Sequence, residues 1–144
     1  MTIKLALFGS GEGTSIEFVL QSIQRNLLRN TKFKVTHIVT NGSSNIVNII
    51  NNYNVNTIVL DNHGSFNSVE ERLNFESKYK YFWGNDGVPD VILLLGWKYI
   101  LSDGLITHFN NHDIQVLNMH PSLPNTFVGN HCAKKTFDSY LNGV

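Results

Sequence analysis

Asn118 and His120, in the run Leu117-Asn118-Met119-His120-Pro121-Ser122-Leu123-Pro124, are the residues whose types and spacing most clearly suit chemistry. Side chains two apart on a strand face the same way, so the pair can converge on one point in a cleft. An Asn amide donates a hydrogen bond to a carbonyl oxygen. An imidazole donates when charged, or shuttles a proton near neutral pH. Such donors serve acyl transfer, in which a carbonyl oxygen gains charge on the way to a tetrahedral intermediate. The competing reading makes Asn118 a strand-end cap and His120 a loop histidine, and the stiff Pro121 to Pro124 segment that follows weighs against it.

A second candidate stands near the N-terminus. Gly9-Ser10-Gly11-Glu12-Gly13-Thr14-Ser15 follows an apolar run and opens a helical stretch. Backbone N–H groups there could hold a phosphate, or the glycines could serve only a tight strand-to-helix turn. A dinucleotide site is disfavoured: Thr14 breaks the G-x-G-x-x-G spacing, and Val39-Thr40-Asn41 lacks an acid for a ribose. The Lys-Ser/Thr of a Walker A loop is absent, and Glu12 is an awkward neighbour for a dianion. A third candidate, Gly96-Trp97, follows the most apolar run, Val91 to Leu95.

The elements that must position these groups follow from periodicity. Apolar runs at Ile3–Phe8, Lys34–Val39, Thr57–Leu60, Val91–Leu95 and Ile114–Met119 read as strands. Helical spacing recurs over Thr14–Leu28, from Ser43 or Ser44 to about Asn52, from Ser68 through Lys80, over Ile100–Phe109 and over Asn130–Leu141. Glu70 and Glu71 open the third helix and Lys78 and Lys80 close it, an order that suits the helix dipole. Asn85-Asp86-Gly87 is a turn. The alternation predicts an α/β domain, a doubly wound, mostly parallel Rossmann-like sheet with helices on both faces. Ligands of such sheets lie beyond the carboxyl ends of the strands. The glycine turn, Gly96-Trp97 and Asn118–His120 all fall at such ends.

The 144 residues allow one domain, and 42% apolar residues suit a globular core. Zero formal net charge gives no electrostatic case for nucleic acid or an anionic membrane. No run is long enough to span a bilayer, and Met1–Phe8 lacks the features of a signal peptide. A single cysteine, Cys132, fits a reducing, cytoplasmic setting. It reads as a small core residue more than a nucleophile. His63, His108, His112, His120 and His131 lack metal-site spacing, so no metal is expected. The aromatic run Tyr79, Tyr81, Phe82 and Trp83 reads as buried at a helix end, with a homodimer contact as the sharper alternative.

The motifs resemble a known family. Asn118 to Pro124, followed by Phe127-Val128-Gly129-Asn130-His131, is similar to the phosphoribosylglycinamide formyltransferases (GAR transformylases) of the 10-formyltetrahydrofolate-dependent formyltransferase superfamily. The glycine turn resembles that family's phosphate loop, and Leu94 to Leu101 its folate segment. The resemblance covers essentially the whole chain. It implies transfer of a formyl group from 10-formyltetrahydrofolate, as co-substrate and without a metal, to the primary amine of glycinamide ribonucleotide in purine synthesis. Asn118 and His120 would then be catalytic, with Pro121 and His131 beside the site. Gly11, Glu12, Gly13, Thr14 and Ser15 would form the phosphate loop. Leu94, Trp97, Ile100, Leu101, Val116 and Leu117 would line the pterin pocket, with backbone contacts from Lys98, Tyr99 and Ile100. The partners would be small molecules.

The match also departs from the family's pattern. Val144 comes before the family's catalytic aspartate and final strands, so the single domain 1–144 is expected to be incomplete at its C-terminus and impaired in turnover. Val69 stands where the family has an arginine, and Glu12 where it has a neutral residue. Two alternatives follow: a sugar-nucleotide N-formyltransferase, which the glycine turn disfavours, and a catalytically inert ligand- or partner-binding remnant.

Overall fold

The computed structural model describes residues 1–26, 31–41, 44–60, 66–81 and 87–119. Among them are five strands: β1 (Thr2–Gly9), β2 (Lys32–Thr40), β3 (Asn56–Val59), β4 (Val91–Leu95) and β5 (Gln115–Asn118). They alternate with α1 (Thr14–Gln24), α2 (Ser44–Asn51), α3 (Val69–Lys80) and α4 (Asp103–Asn111). The strands form one sheet in the order β3-β2-β1-β4-β5, and every pairing is parallel. The chain winds outward from β1 in one direction through β2 and β3, then crosses to β4 and β5. The expected doubly wound α/β architecture is therefore present.

Each face of the sheet carries its own core. Leu5, Leu7, Ile38 and Leu95 pack with Ile16 and Leu20 of α1 and Ile46 and Ile50 of α2. On the opposite face Ala6, Phe8, Val39 and Ile92 pack with Phe75 and Tyr79 of α3 and Leu105 and Phe109 of α4. Strands buried on both faces read as continuous apolar runs, which is why β1 and β4 show no polar alternation.

β2 departs from simple alternation. Leu5 pairs with Val35 but Ala6 pairs with His37, so Thr36 is an extra residue in the ladder. Its hydroxyl donates to the Leu5 carbonyl (3.2 Å), which satisfies an acceptor at the irregularity. Past this bulge, Ile38 faces α1 and α2 while Val39 faces α3.

Two element boundaries differ from expectation for identifiable reasons. α4 begins at Asp103, not Ile100, because the Ser102 hydroxyl accepts from the Leu105 N–H and caps the helix there. Ile100 and Leu101 are left in a loop. The aromatic run is also only partly buried: Tyr79 is 1% exposed but Tyr81 is 68% exposed, because α3 turns it away from the sheet. Phe82, Trp83, Asn85, Asp86, His63, Cys132 and the expected Asn130–Leu141 helix lie outside the described residues. No helix among the described residues is long and apolar enough to cross a membrane.

Candidate active site

The glycine turn leaves β1 at the centre of the sheet, where the two winding directions diverge. A Cβ on Gly9 would stand 2.5 Å from Ile16 Cδ1 and 3.3 Å from the Leu95 carbonyl, so only glycine lets α1 start this close to the strand ends. Gly13 has φ +82° and its missing side chain is the seat of Ile46 from α2. Gly11 has φ +83° and nothing within 4 Å of where a Cβ would be, so the crest of the turn is open.

α1 takes Gly13 as its N-cap, with no side-chain cap bond, whereas Ser68 and Ser102 cap α3 and α4. The first N–H groups of α1 therefore meet no side-chain oxygen from their N-cap residue and carry the positive end of the helix dipole. Thr14 is exposed and Ser15 half-buried beside them. Glu12 is exposed, so water screens its carboxylate.

β4 ends at Leu95, Gly96 follows with φ +67°, and the segment that leads to Ser102 is tied to the neighbouring strand ends. The Lys98 N–H donates to Ser10 Oγ (3.2 Å) and Asn41 Nδ2 donates to the Tyr99 hydroxyl (2.9 Å). Asn41 follows β2, so the bonds tie together the ends of β4, β1 and β2. Trp97 and Tyr99 point down into an aromatic cluster. Trp97 packs edge-on against Phe8 (5.4 Å) and Tyr99 (5.1 Å), and Tyr99 lies 4.8 Å from Phe75 and 5.7 Å from Phe66. The Trp97 Nε1–H is buried without an acceptor among the described residues.

Burial pushes the Tyr79 hydroxyl far above the usual phenol range, and the Glu76 charge adds to this. Burial also raises Tyr99, against a lowering by the Asn41 bond. Both phenols are neutral donors or acceptors near neutral pH, so neither supplies a base.

Asn118 ends β5 opposite Leu94, and the Met119 N–H extends the ladder to the Leu94 carbonyl (3.4 Å). It is exposed and, by alternation, shares a face with Val116, which packs against the same core as Leu94, Trp97, Tyr99 and Leu101. Leu94 in turn pairs with Phe8. Asn118 thus sits two strand spacings, about 10 Å, from the strand that feeds the glycine turn. That span separates the exposed Asn118 side chain from the glycine turn along one edge.

Of the expected pterin-lining residues, the structure packs Leu94, Trp97, Leu101 and Val116 against one core and leaves Leu117 and Ile100 apart from them. Leu117 is on the opposite face, half-exposed over a groove lined by Ile3, Leu5, Ile23, Phe33, Val91 and Leu93. Adjacent strand residues point to opposite faces, so Val116 and Leu117 cannot line one pocket while the strand is regular. Ile100 is 82% exposed at the edge, and Val69 is exposed at the start of α3. His120, Pro121 and His131 lie outside the described residues.

Sequence reasoning passed over Ser10 and Asn41, which fasten the β4 segment, and the pair Arg72 and Glu76 on α3. The signal for the last pair was available: both lie in the helical stripe of Phe75 and Tyr79, where a charge needs a partner. Among the described residues no three His, Cys, Asp or Glu side chains cluster as metal ligands would.

The model of the formyl transferase family matches residues 3–140. The phosphoribosylglycinamide formyltransferase of Schizosaccharomyces pombe is 31% identical over 55 residues, which is 38% of this chain and 27% of that protein. The Dictyostelium discoideum enzyme of the same name is 34% identical over 53 residues, 35% of this chain and 26% of that one. The crystal structure of the Campylobacter jejuni phosphoribosylglycinamide formyltransferase superposes with a TM-score of 0.75 at 25% identity, covering 96% of this chain and 68% of that one. A formyltetrahydrofolate deformylase from Pseudomonas putida shares the fold, with a TM-score of 0.62 at 14% identity, over 100% of this chain and 46% of that one. The matched stretches thus span about a quarter of the curated relatives. A match that runs from the first strand past the last described one places the chain in the formyl transferase family.

Proposed function

We propose that the chain binds 10-formyltetrahydrofolate and glycinamide ribonucleotide and carries the machinery for moving the formyl group to the ribonucleotide's primary amine. The observation that carries this reading is the placement of Asn118 and the α1 turn on one sheet edge, at the ends of strands two spacings, about 10 Å, apart. A donor for the folate's formyl oxygen and a seat for the ribonucleotide's phosphate thereby share one edge, with room between them for the ribonucleotide to bring its amine to the formyl carbon. The names of the Schizosaccharomyces pombe and Dictyostelium discoideum relatives support the choice of amine.

In this reading the amine nitrogen attacks the formyl carbon, and a C–N bond forms as the carbonyl π pair moves to oxygen. The Asn118 amide donates to that oxygen and stabilises its charge. The amine then loses a proton, which His120 is suited by chemistry to accept. The bond from carbon to N10 of the folate breaks as N10 is protonated, leaving a formamide and tetrahydrofolate. The open crest at Gly11, with the first N–H groups of α1, would hold the 5′-phosphate.

Calorimetry on the purified chain tests the binding claim, with glycinamide ribonucleotide and 5-formyltetrahydrofolate titrated separately. Saturable binding of both is expected, and absence of both refutes it. Product analysis with the ribonucleotide, an amino-sugar nucleotide or water as acceptor then decides among transferases and a deformylase. Formylated ribonucleotide is the expected product.

A further inference from the structure

We propose that Arg72 and Glu76 of α3 are positioning residues that hold the 97–102 segment in the shape needed to receive the pterin, an inference that rests on the formyl-transfer reading of the site. Glu76 is a carboxylate only 4% exposed. Its Oε1 accepts from the Ser102 N–H (3.0 Å) and Arg72 Nε (3.2 Å), and its Oε2 accepts from Ser102 Oγ (2.5 Å). The other arm of the Arg72 guanidinium donates to the Ile100 carbonyl. Two charged side chains from α3 therefore grip the segment at Ile100 and at Ser102.

The far end of the segment is fixed separately. Lys98 is held by Ser10 and Tyr99 by Asn41. Between these anchors the Ile100 side chain stands 82% exposed on the sheet edge. A backbone fastened on both sides of an exposed apolar side chain presents that side chain, and the adjacent peptide groups, to a flat heterocycle without further ordering. Capping α4 alone would need only Ser102. A buried carboxylate adds desolvation cost that apolar packing would avoid. The arm to Ile100 adds nothing to the cap, and it is what distinguishes a clamp on the segment from support of the helix.

The experiment uses the full chain with Arg72→Met, which keeps the aliphatic stem and removes the donors, and Glu76→Gln, which keeps the shape and removes the charge. Binding of 5-formyltetrahydrofolate and of glycinamide ribonucleotide is measured separately. Amide hydrogen exchange at 97–102 and at 9–15 is followed in the unliganded chain.

For Arg72→Met, the folate affinity is expected to fall about tenfold, the scale of one charge-assisted hydrogen bond. The ribonucleotide affinity should change less than about twofold. Exchange should quicken at 97–102 and stay unchanged at 9–15. Glu76→Gln should fall between wild type and Arg72→Met, since the amide can still bond Ser102. Arg72→Lys, able to reach one acceptor at a time, should restore part of the folate affinity. Equal losses for both ligands, or unchanged exchange at 97–102, overturn the proposal. A wild-type chain that binds neither ligand refutes the formyl-transfer reading instead, and exchange in the unliganded variants still decides whether the clamp exists.

Discussion

Replacing Gly13 with Ala separates two reasons for a glycine that are usually confounded. Gly13 has φ +82°, and an added Cβ would fall well inside 3.0 Å of Ile46 Cγ1 and 3.1 Å from its Cδ1. Gly11 has nearly the same φ, +83°, with no atom within 4 Å. Gly11→Ala therefore incurs only the left-handed backbone term, about 1–2 kcal/mol. Gly13→Ala incurs that term plus overpacking of about 1–3 kcal/mol, or about 2–5 kcal/mol together. With a urea m-value of about 2 kcal/mol per M, the midpoint should drop by about 0.5–1 M for Gly11→Ala and about 1–2.5 M for Gly13→Ala. Circular dichroism during urea unfolding reads both. Because Ile46 is the clashing neighbour, Ile46→Ala should cost less in the Gly13→Ala background than alone, by about 1–3 kcal/mol. Equal costs at the two glycines, or a double variant whose costs simply add, would refute the claim that Gly13 is required by its contact with α2.

Other consequences are open to simpler tests. Asn118→Ala should lower kcat for formyl transfer by about 10²- to 10³-fold while the unfolding midpoint stays put, since the side chain is exposed. Loss of stability instead would make Asn118 a strand-end cap. Ser68→Ala removes the oxygen that accepts from the Glu71 N–H (3.1 Å) and should cost about 1 kcal/mol in urea unfolding. An unchanged midpoint would mean that the Asn67 N–H to Glu71 Oε2 bond (2.8 Å) suffices to start α3. His108 is held below its ordinary value of 6.5 by burial, then by His112 and Lys80. The unfolded chain thus binds more protons there, so its contribution is full above about pH 6.5 and is lost as pH falls from there through the lower folded-state pKa. His108→Gln should flatten the stability decline between pH 7 and 5, and an unchanged slope would count against this assignment.

How much was legible in the chain depended on what each residue's neighbours could override. β4 is bounded as read, because a short unbroken run of Val91, Ile92, Leu93, Leu94 and Leu95 between Pro89 and Gly96 suits a strand covered on both faces. Ser68 as the start of α3 was equally plain, from its acidic first turn. The start of α4 was misplaced because Ile100 and Leu101 look like the first turn of an apolar helix. What starts the helix later is the Ser102 cap, and Ser102 is itself held by Glu76, 26 positions away in sequence. Tertiary bonds of that kind leave no local trace. Grouping Leu117 with Val116 was a different error: strand alternation alone would have sent them to opposite faces. The convergence of glycine turn, Gly96 and Asn118 on one edge was readable, because it follows from topology and not from side-chain detail.

The Thr36 bulge has a consequence for how relatives of this chain can vary. It makes β2 two half-strands with opposite phase, Val35 and Ile38 facing one core and Val39 the other. A relative without the extra residue must carry an inward–outward pattern inverted on one side of that point, or lose Val39 from beneath the aromatic cluster. Insertions and deletions at Thr36 should therefore travel with compensating swaps of polar and apolar residues in the same strand. The bulge is a place where descent is recorded in pattern phase, even after the residue identities themselves have drifted.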